Sequence, residues 1–338
     1  MNAKAKNIIY SLVVLALLAV VWFIRKPTQK LHEISGATMG TTYQVKYFGS
    51  ESVDPAEVDQ TLKDLNQSLS TYIEDSEISR FNRGELMKMQ SPYFLPVLEK
   101  SKEVYKETEG AFDPTVMPLV RAWGFGPGEK AIPDSSQVSE LLSLVSFDSI
   151  FFNEEALCKM KKEMQLDFSA IAKGYGVDVV YDLLSSKGLE NIYVEIGGEL
   201  RTSGTNDKGT AWKIGIEDPQ SEMNESKIFN IIQLTDQSMA TSGNYRNYYI
   251  KDGVRYAHTI SPYTGYPVEH SLLSATVLSK DCMTADAYAT AFMVLGVDKA
   301  KKILEAHPEL EAYLIFGSED GKLETFKTQG IKLLRDGA

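Results

Sequence analysis

An almost unbroken apolar run near the N-terminus sets the first limit on how this chain can fold. Residues 8 to 24 read IIYSLVVLALLAVVWFI and are interrupted only by Ser11. As a helix this run would be roughly 25 Å long, near the short end for crossing a bilayer, and Trp22 suits the membrane interface. We therefore predict that residues 1 to 30 form a membrane anchor or signal segment outside the globular fold.

The alternative for this segment is a cleaved signal peptide. No clear small-x-small cleavage site follows the run, and no cysteine stands directly after it to accept a lipid. These two features favour an uncleaved, single-pass transmembrane helix. Basic residues flank the run on both sides, so the charge pattern does not decide which side of the membrane the rest of the chain occupies.

The remaining chain is long enough for one large domain, which we place at residues 31 to 338. The 338 residues include 46 acidic and 35 basic side chains, a net charge of −11. This balance, without a long Lys/Arg run, argues against nucleic-acid binding, because phosphate backbones attract clustered cations. Only two cysteines are present, Cys158 and Cys282, and there is no HExxH motif. A cysteine-rich zinc site, a disulfide framework and a zincin-type protease are therefore excluded.

Strand and helix patterns follow one another irregularly along this domain. Strand patterns occur at residues 41–48, 164–168, 192–196, 212–217, 228–234, 248–251, 312–316 and 331–334. Helical patterns occur at residues 55–69, 95–108, 169–186, after Thr284 and at 299–306. There are more strands than a simple βαβ alternation provides. We therefore predict a mixed α+β fold with largely antiparallel sheets and packed helices.

Asp286 and Thr290 stand four residues apart in TADAYATAFMVLG. On a helix they share one face, because this spacing is about one turn. A carboxylate and a hydroxyl one turn apart form part of a site for a hard cation, with phosphate and water completing the shell. The spacing alone favours the simpler interpretation, an Asp near a helix N-terminus and a packed Thr.

Two glycines interrupt the helical pattern in LDFSAIAKGYGVDVVYDLL, residues 166 to 184. We expect Ser169 to cap this helix, although Gly174 and Gly176 in its first turns cost about 1 kcal/mol each relative to Ala. Glycines here let a ligand approach the backbone, and Lys173 beside them suits a phosphate. The alternative is close helix packing with a solvated Lys173.

A Gly-Gly pair follows the strand pattern in VEIGGELRTSG, residues 194 to 204. A dinucleotide-binding fingerprint needs GxGxxG spacing between a strand and a helix, which is absent here. We therefore predict a tight turn.

His258 belongs to AHTISPYTGYPV, residues 257 to 268, and precedes a Pro/Gly turn. A neutral imidazole in such a loop is able to act as a base, although many loop histidines only make hydrogen bonds. Two further segments, residues 69–82 and 111–127, are unusually aromatic for loops. Their rings either stack on a flat ligand or fill the core.

Taken together, these segments resemble the ApbE family, the FAD:protein FMN transferases. The matching pieces are TMGTTYQV, LSTYIEDSEISRFN, GAFDPTVMPLVRAWGF, LDFSAIAKGYGVD, YVEIGGELRTSG, ATSGNYRNYY, HTISPYTGYPV and TADAYATAFMVLG. They occur in family order from about residue 34 to residue 296. The resemblance implies a single two-lobed ApbE-like domain behind the N-terminal helix.

The resemblance also implies an activity: FMN is transferred from FAD through a phosphoester bond to a Thr or Ser hydroxyl of an acceptor protein, AMP is released, and Mg²⁺ is required. Carried over by position, the FAD contacts are Met39, Tyr72, Ala111, Phe112, Asp113, Asp167, Lys173 and Ile260. The metal ligands are Asp286, Thr290 and the backbone carbonyl of Ala170, and His258 is the base. Some members carry a second Asp where this chain has Ala289, which leaves this metal shell one carboxylate fewer.

The expected partners follow from the same resemblance. They are FAD and an acceptor protein with an SGAT-type Thr/Ser motif, a subunit of a membrane redox complex. The expected location is the bacterial inner membrane, with a single membrane pass and the catalytic domain on the periplasmic side. Two alternative functions stay open, a metal-dependent FAD pyrophosphatase that yields FMN and AMP, and a non-catalytic FAD-binding envelope protein. His258, Asp286 and Thr290 together favour catalysis, because a carrier needs no base beside the phosphates.

Overall fold

The structure is a computed structural model. It describes residues 6–7, 10–17, 30–85, 88–125, 132–221, 227–244, 248–251 and 254–334. Of the predicted membrane helix over residues 8 to 24, only residues 10–17 are described, and these are helical. The rest of that segment lies outside the described residues. Within the described ranges no helix combines the length and the hydrophobicity needed to span a bilayer.

The strands of the domain are, in chain order, Lys30–Thr38 (β1), Thr41–Gly49 (β2), Ile150–Phe152 (β3), Leu157–Lys159 (β4), Ile192–Ile196 (β5), Glu199–Thr202 (β6), Trp212–Glu217 (β7), Ile228–Leu234 (β8), Ser238–Gly243 (β9), Tyr248–Lys251 (β10), Val254–Ala257 (β11), Leu272–Ser279 (β12), Glu311–Gly317 (β13) and Leu323–Lys327 (β14). Eight of them form one sheet in the order β1-β2-β5-β6-β9-β12-β13-β14, and every neighbouring pair is antiparallel. The predicted α+β class with antiparallel sheets is confirmed.

The helices are Pro55–Leu69 (α1), Glu77–Arg83 (α2), Phe94–Glu107 (α3), Met117–Ala122 (α4), Ser135–Leu142 (α5), Ala172–Ser186 (α6), Cys282–Leu295 (α7) and Val297–Ala306 (α8). Local signals explain α1 well. The Asp54 side chain caps its N-terminus by accepting a hydrogen bond from the Ala56 N–H, and Pro55 takes the first helical position, where its missing N–H costs nothing. Its buried side chains recur at helical spacing.

The two faces of the large sheet are covered differently. Helices α1, α6 and α7 pack on one face. One core cluster joins α1 and α6 to β2 and β5, and another joins α7 to β12 and β13. The β7–β8 hairpin covers the other face through Trp212, Ile214 and Ile232. Successive side chains of β13 point to opposite faces of the sheet. Leu314 therefore packs against the helices and Ile315 packs under the β7–β8 hairpin.

Three local predictions were wrong. Residues 164–168 are not a strand: the side chain of Asn82 both donates to the Leu166 carbonyl (2.8 Å) and accepts from its N–H (2.7 Å). The backbone groups of Leu166 therefore bond to a side chain, and the Asp167 N–H bonds to a loop carbonyl, rather than to a neighbouring strand. Helix α6 begins at Ala172 without a side-chain cap, so Ser169 does not cap it. Near residues 331–334 only an isolated bridge forms, between Leu333 and Ile232.

Candidate functional site

Helices α6 and α7 meet unusually closely, and Gly174 makes this possible. A Cβ atom on Gly174 would lie 2.3 Å from the Cys282 carbonyl oxygen and 2.7 Å from Cβ of Asp286. Without that atom, the Gly174 N–H donates a 2.9 Å hydrogen bond to Oδ2 of Asp286. Gly174 therefore serves close helix packing, and through it the backbone of α6 positions a carboxylate of α7.

Asp286 and Thr290 lie on α7 as their spacing predicts. Asp286 is only 3% exposed, and burial raises the pKa of its carboxyl group, while the positive charge of Lys173 acts in the opposite direction. The hydroxyl oxygen of Thr290 lies 3.1 Å from that of Ser242 on β9. The helix thus offers one buried carboxylate and one hydroxyl that a second hydroxyl orients.

The predicted metal ligands have the right chemistry for Mg²⁺. The Asp286 carboxylate, the Thr290 hydroxyl and the Ala170 carbonyl are all oxygen donors, which hard cations prefer. A buried carboxylate is also costly to keep charged without a cation nearby. Among the described residues no group of three or more His, Cys, Asp or Glu side chains is arranged to hold a metal. By donor type, these three oxygens fit a hard cation, with phosphate and water to complete its shell.

One cleft brings together most of the predicted site residues. The space it offers to water-sized molecules is about 90 Å³. Eight predicted residues line it, namely Ala111, Phe112, Asp113, Asp167, Ala170, His258, Ile260 and Thr290. They come from four separate parts of the chain, the loop before α4, the loop before α6, the segment after β11, and α7. The cleft is thus a product of tertiary folding.

Asp113 holds the loop on one wall of this cleft. Its Oδ1 accepts a 2.8 Å hydrogen bond from the Thr115 N–H, and its Oδ2 accepts one of 3.2 Å from the Phe147 N–H. Burial raises the pKa of Asp113 to about 6, although these hydrogen bonds lower it. Because backbone N–H groups already bond to its carboxylate, Asp113 holds the loop in place. The loop, and not the charge of Asp113, is therefore what a ligand meets.

Asp167 joins two walls of the cleft. Its backbone N–H donates to the Pro114 carbonyl (2.8 Å), and its Oδ1 accepts from the Ser169 N–H (2.9 Å). Burial raises the pKa of Asp167, and the nearby charge of Arg121 acts against that increase. The residue is partly exposed to the cleft and is able to meet a bound ligand there.

His258 follows directly after β11 and lines the cleft together with Thr290 and Ala170. Its ring lies edge-on to Phe125, with 6.4 Å between centroids. The following loop is anchored from outside, because the Trp123 indole N–H donates to the Gly265 carbonyl (2.7 Å). A fixed loop of this kind keeps the imidazole at the cleft.

Four predicted site residues lie outside the lining of this cleft. Met39 has a left-handed backbone (φ 50°) at the turn between β1 and β2 and packs beside Gly176. Tyr72 is 75% exposed and lines a neighbouring cavity with Arg121 and Gln165. Asp286 lies deeper, in contact with Gly174, as described above. Of the two aromatic segments, one places Phe112 in the core and the other leaves Tyr72 exposed, and stacking of a ligand on Tyr72 stays a prediction.

Lys173, the fourth of these residues, pairs with a carboxylate that the sequence did not single out. Its Nζ lies 2.6 Å from Oε2 of Glu199, which is 2% exposed. Burial lowers the pKa of Lys173, but the carboxylates of Glu199 and Asp286 raise it by more, so the net pKa lies above the ordinary value. Burial raises the pKa of Glu199 to about 8, although the charge of Lys173 lowers it. From the 2.6 Å contact we assign the pair as an ammonium and a carboxylate.

Sequence reasoning placed the Gly-Gly pair before Glu199 in a tight turn, and this is confirmed. Gly197 and Gly198 have φ values of 61° and 108°, and Ile196 pairs with Glu199 across the hairpin. The role of Glu199 itself was missed, as was that of Ser242. An acidic residue at the first position of a strand buried on both faces was the only available signal for Glu199.

Comparisons with known proteins show which family this chain belongs to. The ApbE family profile matches residues 39–314. A protein of Vibrio cholerae named FAD:protein FMN transferase is 40% identical over 319 residues, which cover 92% of this chain and 94% of the relative. A protein of Haemophilus influenzae with the same name is 40% identical over 331 residues, covering 94% and 95%. The solved structure of the flavin transferase ApbE from Vibrio cholerae superposes with a TM-score of 0.81 at 39% identity, covering 89% of this chain and 98% of that one.

Proposed function

The chain belongs to the ApbE family and is an enzyme of the FAD:protein FMN transferase type, and we propose that it joins FMN through a phosphoester bond to a Thr or Ser hydroxyl of an acceptor protein. The observation that carries this proposal is the convergence of His258, Thr290 and Ala170 in one cleft. Lys173 and Asp286, whose charges influence each other, stand on α6 and α7 outside the lining of this cleft. A base, a cation site and a fixed positive charge are the three parts that phosphoryl transfer to a hydroxyl requires.

The proposed step is a displacement at phosphorus. The acceptor hydroxyl oxygen attacks the phosphorus of the FMN half of FAD and forms the new O–P bond. The bond from that phosphorus to the bridging oxygen breaks, and AMP leaves with this oxygen. The hydroxyl proton passes to His258, since a Ser or Thr hydroxyl is a weak nucleophile until a base accepts its proton.

The other residues of the site have separate roles in binding FAD and stabilising charge. Lys173 offers positive charge to the pyrophosphate, whose charge builds up as the bond breaks. The loop that Asp113 holds, together with Ile260, shapes the wall on which FAD lies. When bound through Asp286, Thr290 and the Ala170 carbonyl, Mg²⁺ would supply further charge to the phosphate oxygens.

The test uses the full-length chain with FAD, Mg²⁺ and a protein bearing an SGAT-type segment, and records the intact mass of the acceptor. A mass gain equal to FMN, lost with EDTA, is the expected result. A matched acceptor with Ala in place of the modified Thr must stay unchanged. If AMP and FMN appear free in solution without any mass gain, the enzyme is a pyrophosphatase. If FAD stays bound and intact, the protein is a carrier.

We also propose that the enzyme is anchored in the bacterial inner membrane with its catalytic domain on the periplasmic side. The apolar run over residues 8 to 24 ends only a few positions before β1 begins at Lys30, so an anchored domain would lie close to the bilayer. A subunit of a membrane redox complex is the acceptor that such a domain would meet. Protease treatment of spheroplasts tests this, because a periplasmic domain is digested and a cytoplasmic one is protected.

A further inference from the structure

Strand β6 presents two charged side chains to helix α6, two residues apart on one face of the strand. Glu199 pairs with Lys173 (2.6 Å), and Arg201 pairs with Asp178 (2.8 Å). The two pairs have opposite polarity, since the strand supplies the anion in the first and the cation in the second. They lie side by side at the same α6–β6 contact, so the effect of removing one pair can be compared with the effect of removing the other.

The Arg201–Asp178 pair has a structural role. The Asp178 carboxylate accepts hydrogen bonds from the backbone N–H groups of Cys282 (3.0 Å) and Met283 (2.8 Å). It thereby satisfies two donors at the N-terminus of α7 that have no partner within the helix. Arg201 also lies over the ring of Tyr181, 4.0 Å from its centroid. These contacts fix where α7 begins and remain away from the cleft.

The Glu199–Lys173 pair instead lies next to the contact of α6 with Asp286, because Lys173 directly precedes Gly174, whose N–H donates to Asp286. Glu199 is 2% exposed, whereas the side chain of Lys173 is 32% exposed. The lysine therefore extends from a buried anion towards solvent, close enough to Asp286 for their charges to interact. A lysine has a flexible four-carbon stem, so without an anchor its ammonium would occupy many positions.

We infer that Glu199 is a positioning residue for the transfer reaction, whose buried carboxylate holds the Lys173 ammonium beside Asp286, where it meets the pyrophosphate of FAD. This inference rests on the proposed function. Charge that is fixed before the reaction stabilises a transition state better than charge that must be brought into place. The same carboxylate weakens the attraction of Lys173 for FAD in the ground state, because it partly cancels the lysine's charge.

These two effects predict that loss of the Glu199 charge slows FMN transfer without weakening FAD binding. In Glu199→Gln the side chain keeps its shape but loses its charge, so Lys173 is held less firmly and is less neutralised. We expect the single-turnover rate of FMN transfer to fall by about tenfold or more. The dissociation constant of FAD should stay the same or become smaller. A purely structural role would instead weaken binding and rate together.

The matched control is Arg201→Gln, which removes the neighbouring α6–β6 ion pair without touching the site. It should lower the melting temperature while leaving the transfer rate and the FAD dissociation constant within about twofold, because rates depend on geometry at the reacting atoms. A second comparison uses Lys173→Ala. If Glu199 acts through Lys173, adding Glu199→Gln to Lys173→Ala should slow transfer no further.

The experiment measures FAD binding by flavin fluorescence, transfer by acceptor mass and melting temperature for the full-length enzyme and all variants. A normal rate in Glu199→Gln, a joint loss of rate, binding and melting temperature, or a further slowing on the Lys173→Ala background would each overturn the role of Glu199. In all three cases normal transfer by the wild-type enzyme leaves the proposed function intact. If the wild-type enzyme transfers no FMN, both the function and the role of Glu199 fail.

Discussion

The inner part of the site and its mouth are built in different ways. The inner part consists of Lys173, Glu199 and Asp286, which stand on α6, β6 and α7 and are fixed by direct contact between these elements. The mouth consists of residues 111–116 and 258–266, which are mostly loop and are held by hydrogen bonds such as that from Trp123 to Gly265. The difference teaches that the charged residues stand on helices and a strand packed against each other, whereas His258, the proposed base, stands on a loop.

The largest effect should come from the mouth. His258→Ala removes the proposed base, and we expect the transfer rate to fall by about 10²–10⁴-fold, the usual contribution of general base catalysis. FAD binding should change little, because the imidazole acts on the acceptor hydroxyl. Stopped-flow mixing with intact-mass detection measures the rate, and flavin fluorescence measures binding. A variant that retains the wild-type rate would exclude His258 as the base.

The corresponding change in the inner part is Asp286→Ala, for which we expect a loss of about 10²–10³-fold in transfer rate. Unlike His258→Ala, this variant should also lose Mg²⁺ binding, because Asp286 is the only carboxylate among the proposed ligands. Calorimetric titration of Mg²⁺ into the protein with FAD bound measures this. Undiminished Mg²⁺ affinity in the variant would show that the cation binds elsewhere.

Gly174→Ala tests the rigidity of the inner part. The added Cβ would meet the Cys282 backbone at 2.3 Å, so α6 and α7 must separate. Overpacking of this kind costs about 1–3 kcal/mol of unfolding free energy. Gly176→Ala is the graded control, because its Cβ would meet only side-chain ends, at 3.1–3.2 Å. Urea unfolding of both variants measures the difference, and equal stabilities would contradict the close contact.

The smallest effect concerns pH and involves both parts. Burial raises the pKa of Asp113 in the mouth and of Asp178 beside the inner part to about 6 each, from 3.8. The folded state then binds protons that the unfolded state does not, so this stability is complete below about pH 4 and is lost as the pH rises through about 6. The unfolding free energy should therefore be higher at pH 5 than at pH 7. Each unit of pKa difference contributes at most about 1.4 kcal/mol.

Urea unfolding at pH 5, 6 and 7 tests this expectation, and Asp113→Asn is its control. The variant should show a weaker dependence on pH, because a buried carboxyl group with a raised pKa no longer titrates. A stability that increases steadily from pH 5 to pH 7 would mean that the hydrogen bonds to these carboxylates outweigh their burial.

Features that depend on neighbours in sequence were predictable. The bounds of α1 match the prediction at both ends, because Asp54, Pro55 and a 3.6-residue apolar period all act within a few residues. The turn at Gly197 and Gly198 and the shared face of Asp286 and Thr290 are likewise local properties. The strand predicted at residues 164–168 was wrong because Asn82, more than eighty positions away, supplies the backbone partners.

By itself, the sequence determined the local elements, the apolar N-terminal run, the motifs shared with the ApbE family and the residue types available for chemistry. Only the tertiary structure decided the order of the eight strands, the close approach of α6 and α7 at Gly174, and the pairing of Lys173 with Glu199. The physical reason is that these contacts join residues far apart in the chain. Strand pairing, burial and ion pairs are properties of the packed whole, and the patterns within one segment do not specify them.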